Sequence, residues 1–140
     1  MKIYLAGPLF STAERDFNAR LAAILREKGH EVWLPQESEQ ESMTPKEIFG
    51  KDVEGIDWAE AVVANMDGAD PDSGTCYEVG VGNRPTVLYR TDIRSEAPFG
   101  PYNLMLHQAR TVNRVLDLTW KTVDQIAAAL DDALKAMFSK

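Results

Sequence analysis

One stretch of the chain decides its fold: Asp70-Pro71-Asp72-Ser73-Gly74-Thr75-Cys76-Tyr77-Glu78-Val79-Gly80. It follows the apolar run Ala61–Ala64, which is typical of a buried strand. Proline and glycine turn the chain after that strand, and a short helix is expected to begin behind the turn. We therefore expect Asp72 at the mouth of a strand-to-helix loop and Glu78 in the first turns of the helix.

Glu78 is the candidate reactive group of this stretch. A carboxylate near the start of a helix faces the positive end of the helix dipole, which favours its ionised form. An ionised carboxylate suits a nucleophile or an electrostatic stabiliser better than a proton donor. A solvated glutamate at a helix start is the ordinary alternative, so the prediction depends on which other groups reach the same place.

Strands and helices alternate on both sides of this stretch. Apolar runs predict strands at residues 2–6, 31–35, 58–66, 85–89 and 112–118. Between and after them we predict a polar loop at 36–43 and helices at 11–29, at 44–56, behind Asp72, at 102–109 and at about 120–138. This alternation predicts an α/β fold, a doubly wound sheet of five mainly parallel strands with helices on both faces. We expect one domain over residues 1–140, with ligands binding beyond the carboxyl ends of the strands.

Charge and composition exclude several classes of function. The 140 residues include 22 acidic and 15 basic ones, a net charge of −7, without a basic stripe. Because nucleic-acid binding depends on neutralising phosphates, we expect no nucleic-acid partner. The longest apolar runs are too short to span a bilayer, and the first residues lack the apolar segment of a signal peptide. We expect a cytoplasmic protein without a membrane partner.

The side chains that commonly hold cofactors or metals are isolated in this sequence. No phosphate-loop pattern occurs, and Gly80-Val81-Gly82 ends a helix instead of opening one, which argues against a dinucleotide fingerprint. His30 and His107 stand alone, and the single cysteine, Cys76, has no partner at metal-ligand spacing. We therefore expect no cofactor and no metal, with Cys76 packed in the interior and His30 on the surface.

A group of carboxylates and one tyrosine of the first strand, Tyr4, remain as candidate chemistry: Asp52, Asp67, Asp70, Asp72 and Glu78. Two carboxylates in different environments perform glycosidic-bond chemistry, because one attacks or stabilises the anomeric carbon while the other moves a proton at the leaving group. Clustered like charges themselves raise the pKa of one member. For Asp67 and Asp70 a polar turn is the favoured interpretation, and for Asp52 an exposed helical position is the alternative.

Several motifs follow one another along the chain: Ile3-Tyr4-Leu5-Ala6-Gly7-Pro8 with Phe10, then Asp52, then Asp72-Ser73-Gly74-Thr75 through Glu78-Val79-Gly80, and then Asn103-Leu104-Met105. Over nearly the whole chain this set resembles the nucleoside 2-deoxyribosyltransferase family. The resemblance implies a flavodoxin-like fold. It also implies an enzyme that moves 2-deoxyribose from a 2′-deoxynucleoside to a free nucleobase, by double displacement with retention at C1′.

The resemblance implies a role for each of the reactive side chains. Glu78 is the nucleophile that attacks C1′ and forms a covalent deoxyribosyl-enzyme, and Tyr4 hydrogen-bonds and aims it. Asp72, near the base and the 5′ side of the sugar, is the first choice for handling the proton of the base. Asp52 is the second choice for that role, or a base-binding group.

The resemblance also implies a set of substrate-binding residues. Gly7, Pro8 and Phe10 form part of the base pocket, and Gly74 belongs to the same motif as the nucleophile. Asn103 binds the 5′-hydroxyl, with Met105 packing at the same site. In this family that asparagine typically comes from the neighbouring subunit, so the expected active form is a homodimer or a larger homo-oligomer with shared active sites.

Two other functions stay open from the sequence. A hydrolase of nucleoside 5′-monophosphates shares the tyrosine and the glutamate but needs a phosphate pocket, and Ser11 and Arg15 lie close to the first loop. Asn103 and Asp72 favour a neutral hydroxyl instead, because a carboxylate beside a phosphate is costly. The alternative from another class is a non-catalytic nucleotide-sensing module on the same fold.

Overall fold

Five parallel strands form the central sheet of the computed structural model, which describes residues 1–95 and 97–139. The strands are β1 (Lys2–Ala6), β2 (Glu31–Trp33), β3 (Ala61–Asn65), β4 (Thr86–Arg90) and β5 (Val112–Asp117). Their order in the sheet is β2-β1-β3-β4-β5, and every pair is parallel. The predicted doubly wound α/β fold is confirmed, and the sheet is parallel throughout the described residues rather than mainly so.

Six helices connect or follow the strands: α1 (Thr12–Glu27), α2 (Pro35–Ser38), α3 (Pro45–Trp58), α4 (Ser73–Gly82), α5 (Leu104–His107) and α6 (Val123–Phe138). Reciprocal capping boxes begin the three longest helices, at Ser11 for α1, Thr44 for α3 and Thr122 for α6. Each box satisfies backbone donors that the first turn leaves without partners. None of the helices in the described part of the chain is long and apolar enough to cross a membrane.

Some predicted boundaries are wrong for local reasons. Residues 36–43 do not form a loop throughout, because Pro35 begins the short helix α2, where its fixed φ suits a first helical position. Trp58 ends α3 instead of beginning the third strand, which starts only at Ala61. The last helix begins later than residue 120, since Thr122 supplies its N-cap.

The sheet separates two hydrophobic cores, because side chains of a strand alternate between its faces. On β1, Ile3 and Leu5 join the core beneath α1 and α6. Tyr4 and Ala6 face the opposite core, to which α3 contributes Ile56. The layer formed by α3, α4 and α5 therefore covers the face of the sheet from which Tyr4 projects.

Close approach of α3 to the sheet depends on Gly55. A Cβ atom at this position would lie 2.5 Å from Nε1 of Trp33 on β2, so only glycine fits without movement of the indole ring. Gly55 is one turn after Asp52 on the same helix. The contact therefore sets how deeply the helix that carries Asp52 packs against β1 and β2.

His30 is not on the surface, contrary to the prediction. It is 8% exposed, and its Nε2 lies 2.9 Å from Oδ1 of Asp131 on α6. Lys135 contacts the other oxygen of Asp131 at 2.7 Å. The contact between His30 and Asp131 fastens the turn between α1 and β2 to the last helix and lies in the layer opposite Tyr4.

Candidate active site

Tyr4 of β1 and Glu78 of α4 form the central contact of the candidate site. Tyr4 is completely buried, and its hydroxyl donates a hydrogen bond to Oε2 of Glu78. Burial first, and then the nearby charge of Glu78, raise the pKa of the Tyr4 phenol far above its usual range. The phenol therefore stays protonated and acts as a hydrogen-bond donor to the carboxylate.

The pKa of Glu78 is raised to about 7, and burial is the main cause. The charges of Asp52, Asp72 and Glu39 add to that increase, while the hydrogen bond from Tyr4 opposes it. The prediction that the helix dipole favours ionised Glu78 is wrong in direction. Glu78 is the sixth residue of α4, and the dipole effect falls off within the first turn, whereas desolvation persists.

Asp52 on α3 is the second carboxylate of the site. It is half-buried, and its Oδ1 is buried without a hydrogen-bond partner among the described residues. Burial and the charge of Glu39 raise its pKa to about 6, with an interaction with Tyr4 opposing. The alternative of an exposed helical aspartate is therefore wrong, and Asp52 keeps its proton to a higher pH than an ordinary aspartate does.

Asp72 is the N-cap of α4. Its Oδ2 accepts hydrogen bonds from the backbone N–H of Thr75 at 2.9 Å and from the Thr75 hydroxyl at 3.0 Å. A Cβ atom at Gly74 would approach the same oxygen to 3.2 Å, so a larger residue would disturb this cap. One oxygen of Asp72 therefore fixes the start of the helix that carries Glu78, and Asp72 also lines the larger of two cavities described below.

Two cavities adjoin these groups at the carboxyl ends of the strands. A small cleft of about 130 Å³ contains Asp52, Gly74 and Glu78, with apolar walls from Phe49, Val53, Ile56, Tyr77 and Val81. A larger cavity of about 450 Å³ contains Pro8, Phe10 and Asp72. Phe10 is 74% exposed at its edge, and a Cβ at Gly7 would meet the Asn65 Cβ at 3.0 Å, so the first loop passes close to β3.

Asn103 and Met105 lie away from the Tyr4–Glu78 pair within one chain. Asn103 is the N-cap of α5, accepting from the N–H of Met105 at 2.9 Å, and both residues are exposed. They line a separate surface cleft of about 370 Å³ together with Ser73 and Cys76 of α4. The fold thus brings Tyr4, Asp52, Asp72 and Glu78 together, and leaves these two predicted substrate-binding residues outside.

Sequence reasoning missed Glu39. It follows α2, and its charge raises the pKa of both Asp52 and Glu78. Its only sequence signal was its place in a polar segment after β2, which did not distinguish it from its acidic neighbours. Asp67 does more than form a polar turn, since both of its oxygens accept hydrogen bonds from Thr91 and Asp92 at the start of the loop after β4.

No metal-binding group of three or more His, Cys, Asp or Glu side chains occurs among residues 1–95 and 97–139. Cys76 is only partly buried, with its thiol 3.9 Å from the carbonyl of Pro71. Burial, and then the charges of Asp70 and Asp72, raise the pKa of this thiol. A thiol with a raised pKa is a poor nucleophile at neutral pH, which argues against Cys76 as the reactive group.

A family model for nucleoside 2-deoxyribosyltransferases matches residues 3–113, which include every residue of the candidate site. The chain belongs to this family. Membership supports a deoxyribosyltransferase-like function for the chain. None of the curated proteins compared with the chain matches it.

Solved structures similar to this family member share its fold. A 2-deoxyribosyltransferase from Bacillus psychrosaccharolyticus is 26% identical, with a TM-score of 0.68 over 91% of this chain and 90% of that one. A 2-desoxiribosyltransferase from Leishmania mexicana is 23% identical, with a TM-score of 0.68 over 99% and 98%. A CMP N-glycosidase from Clostridium botulinum is 20% identical, with a TM-score of 0.65 over 94% and 98%.

Proposed function

We propose that this protein is a nucleoside 2-deoxyribosyltransferase that moves 2-deoxyribose between nucleobases through a covalent deoxyribosyl-Glu78 intermediate. The observation that carries the proposal is the hydrogen bond from the buried Tyr4 hydroxyl to Oε2 of Glu78. It leaves the other carboxylate oxygen available for attack and fixes the direction of the side chain. Membership of the family supplies the substrate class, a 2′-deoxynucleoside with a free nucleobase as acceptor.

The first half-reaction makes the glycosyl-enzyme. The free oxygen of ionised Glu78 attacks C1′ as the C1′–N bond breaks, and the electron pair of that bond leaves with the base. The departing nitrogen takes a proton from Asp52. The products are a neutral free base, an ester between Glu78 and C1′, and an ionised Asp52.

The second half-reaction reverses these steps with another base. Ionised Asp52 removes the proton from the nitrogen of the incoming base, and that nitrogen attacks C1′. The ester bond breaks and Glu78 regains its negative charge. Two inversions at C1′ give overall retention, as in other double displacements at an anomeric carbon.

We assign the proton transfer to Asp52 rather than to Asp72. Asp52 has a buried oxygen without a partner in the described part of the chain and a pKa raised to about 6, so it can hold and release a proton at a higher pH than an ordinary aspartate. Asp72 already uses one oxygen to cap α4. Its role in this proposal is to fix the helix start and to contact the sugar side of the substrate.

The sugar end of the site is proposed to be completed by a second copy of the chain. Asn103 and Met105 lie outside the cavities that contain Glu78 and Asp72, although family resemblance assigns them to the 5′-hydroxyl. Phe49, Tyr77 and Val81, beside the cleft of Glu78, are each at least half exposed. Apolar side chains of this size beside a cleft suit an interface between subunits in a homodimer or a larger homo-oligomer.

A nucleoside 5′-monophosphate N-glycosidase is the second candidate, because one structure of the same fold is a CMP N-glycosidase. The charges near Asp72 argue against it. The larger cavity is lined by the carboxylates Asp67, Asp70, Asp72 and Asp92, and its one arginine, Arg94, lies 2.6 Å from Asp92. A phosphate there would face mostly negative charge, which costs free energy unless it is compensated. A non-catalytic nucleotide sensor is the third candidate.

One assay separates the three candidates. The protein is incubated with a deoxynucleoside and a second free base, and the products are separated by chromatography. A new nucleoside is the expected result. Free sugar alone would favour a hydrolase, and binding without any product would favour a sensor.

Mass spectrometry tests the intermediate directly. A deoxyribose-sized adduct on the peptide that contains Glu78 is expected when a deoxynucleoside is added without an acceptor base. Glu78→Ala should abolish both adduct and turnover while retaining nucleoside binding. Glu54→Ala is the matched control, since Glu54 is an exposed glutamate of α3 whose partner, 3.3 Å away, is the surface residue Lys51. A wild-type protein without any adduct during slow turnover would contradict the mechanism.

A further inference from the structure

Arg90 is a buried arginine outside the set of reactive side chains. It ends β4, is 5% exposed, and has no carboxylate within ion-pair distance among the described residues. Its Nη1 donates to the carbonyl of Met66 at 2.6 Å, and its Nη2 donates to the carbonyl of Gly68 at 2.8 Å. A buried guanidinium is expensive to desolvate, so the two hydrogen bonds to these carbonyls are what offset that cost in the described part of the chain.

Asp67 makes the reciprocal connection between the same two segments. It lies between the two residues that Arg90 binds, and its Oδ1 accepts from the N–H groups of Thr91 at 2.6 Å and Asp92 at 2.9 Å. The hydroxyl of Thr91 donates to the other oxygen at 2.5 Å. Asp92 in turn accepts from the N–H of Gly68 at 3.2 Å. Side chains from both segments thus bond the end of β3 to the end of β4.

The segment held in this way leads directly to the nucleophile. Gly68 has a φ of +109°, a left-handed conformation that turns the chain from β3 toward Asp72. Asp72 then caps α4, the helix that carries Glu78. A shift of residues 66–68 would therefore be passed to the cap and to the nucleophile's helix, whereas the sheet itself is held by its own strand pairing.

We propose that Arg90 is a positioning residue for the reaction, which sets the loop from Met66 to Asp72 through its two carbonyl contacts and is supported by Asp67. This inference rests on the proposed function, which supplies the reaction. The contacts of Arg90 can also be tested without activity, by the rate at which Cys76 is alkylated. Arg90 does not contact Glu78, Asp52 or the sugar in the proposed reaction. Its effect is on the fraction of molecules in which Glu78 and Asp72 are correctly aligned.

Arg84 offers a matched control within the same chain. It also donates from its guanidinium to two backbone carbonyls, those of Ile56 at 3.3 Å and Asp57 at 2.8 Å. These carbonyls are in the last turn of α3, which leads to the amino-terminal end of β3 and not to the loop before α4. Arg84→Met and Arg90→Met therefore remove the same kind of contact from opposite ends of the sheet.

The test combines kinetics with labelling of the single cysteine, Cys76, which lies in the first turns of α4. Arg90→Met should lower kcat for transfer about tenfold to hundredfold, because misplacement of a reacting group by about 1 Å has effects of this size. Its KM should change less than its kcat. Alkylation of Cys76 by iodoacetamide should become about tenfold faster, as expected when local opening of the loop becomes easier. Arg84→Met should change kcat and labelling by less than about twofold.

Two further variants keep the inference falsifiable. Arg90→Lys retains the charge but offers a single ammonium in place of the fork, so it should behave like Arg90→Met. Asp67→Asn should lower kcat and speed the labelling of Cys76 in the same way, so it can replace Arg90→Met if that variant fails to fold. Equal effects of the Arg84 and Arg90 variants, full rescue by lysine, or unchanged labelling in folded Arg90 and Asp67 variants would overturn the inference. A wild-type protein without transferase activity would refute the proposed function, while labelling would still test the contact.

Discussion

Tyr4 and Glu78 are 74 positions apart in the chain, and the hydroxyl of one donates a hydrogen bond to the carboxylate of the other. The first strand supplies the tyrosine from its buried row, and the helix after β3 supplies the glutamate. β1 and β3 are neighbours in the sheet, so the contact spans only one strand pairing. The hydrogen-bond donor and the proposed nucleophile are therefore positioned by the most central part of the fold.

Replacing Tyr4 with phenylalanine should impair the reaction without unfolding the protein. The change removes one hydrogen bond to a charged group, with a typical value of about 1.5–3 kcal/mol, so kcat/KM should fall about tenfold to hundredfold. Because that bond lowers the pKa of Glu78, the pKa in the variant should rise above the wild-type value of about 7. Steady-state kinetics over a range of pH measures both effects.

Tyr89→Phe is the control for this variant. Tyr89 is also a fully buried tyrosine on a central strand, but it joins the opposite core beneath α1 and α6. Tyr89→Phe should retain activity within about twofold of the wild type, since the Tyr89 side chain lies on the opposite face of the sheet from the contact between Tyr4 and Glu78. Equal loss in the two variants would mean that the Tyr4 hydroxyl has no special role.

The dependence of kcat/KM on pH should be bell-shaped, with its maximum between about 6 and 7. Glu78, with a pKa of about 7, must be ionised to attack, which gives the rising acidic limb. Asp52, with a pKa of about 6, must be protonated to assist the leaving base, which gives the falling alkaline limb. The form required for reaction, with Glu78 ionised and Asp52 protonated, is the less populated of the two singly protonated forms, so the limbs are expected near pH 6 and pH 7 and the measured values belong to the pair. A maximum above pH 8 would contradict this assignment.

Asp52→Asn should remove the alkaline limb of that profile. General acid catalysis typically contributes a factor of about 10² to 10⁴, so loss of the proton donor should lower kcat strongly for natural bases. The loss of kcat should be much smaller for a nucleoside whose base departs as a stable anion, because that base needs no proton from Asp52. Asp57→Asn, at an exposed position later on the same helix, is the control. An unchanged alkaline limb in Asp52→Asn would exclude Asp52 as the proton donor.

Glu78→Gln should raise the stability of the protein at pH 8. The pKa of Glu78 is about 7 in the folded chain against an ordinary value of 4.5, so the folded state binds more protons between these values. The free energy of unfolding therefore falls as pH rises from about 4.5 to about 7, and it stays lower above that interval. A neutral amide avoids this loss, with an expected gain of about 1–3 kcal/mol at pH 8 and almost none at pH 4. Urea unfolding at the two pH values measures the difference.

Local sequence signals were sufficient for the framework of the site. The apolar run before Asp70 and the capping pattern at Ser11 each depend on residues close together in sequence, and the elements that they predicted are present. The raised pKa of Glu78 was not predictable in this way. It results from burial and from the charges of Asp52 and Glu39, which other elements bring to α4.

The same distinction explains the misplaced histidine. His30 follows a helix-ending glycine, which is normally an exposed position. Its partner Asp131 is 101 residues away, and no pattern around either residue indicates the other. Such long-range polar pairs depend on how the helices pack on the sheet, and local sequence patterns do not show that packing.

The division of the interior into two cores has a practical meaning for anyone who wishes to alter this enzyme. Among the described residues, α6 supplies no wall of the two cavities at the candidate site, whereas α3 and α4 supply the walls of the cleft that holds Glu78. Thermal stability can therefore be engineered on α6, while substrate choice is selected on α3 and α4 and on α1, which lines the larger cavity. The two sets of mutations could be selected separately and then combined, since the effects of distant mutations on stability usually add.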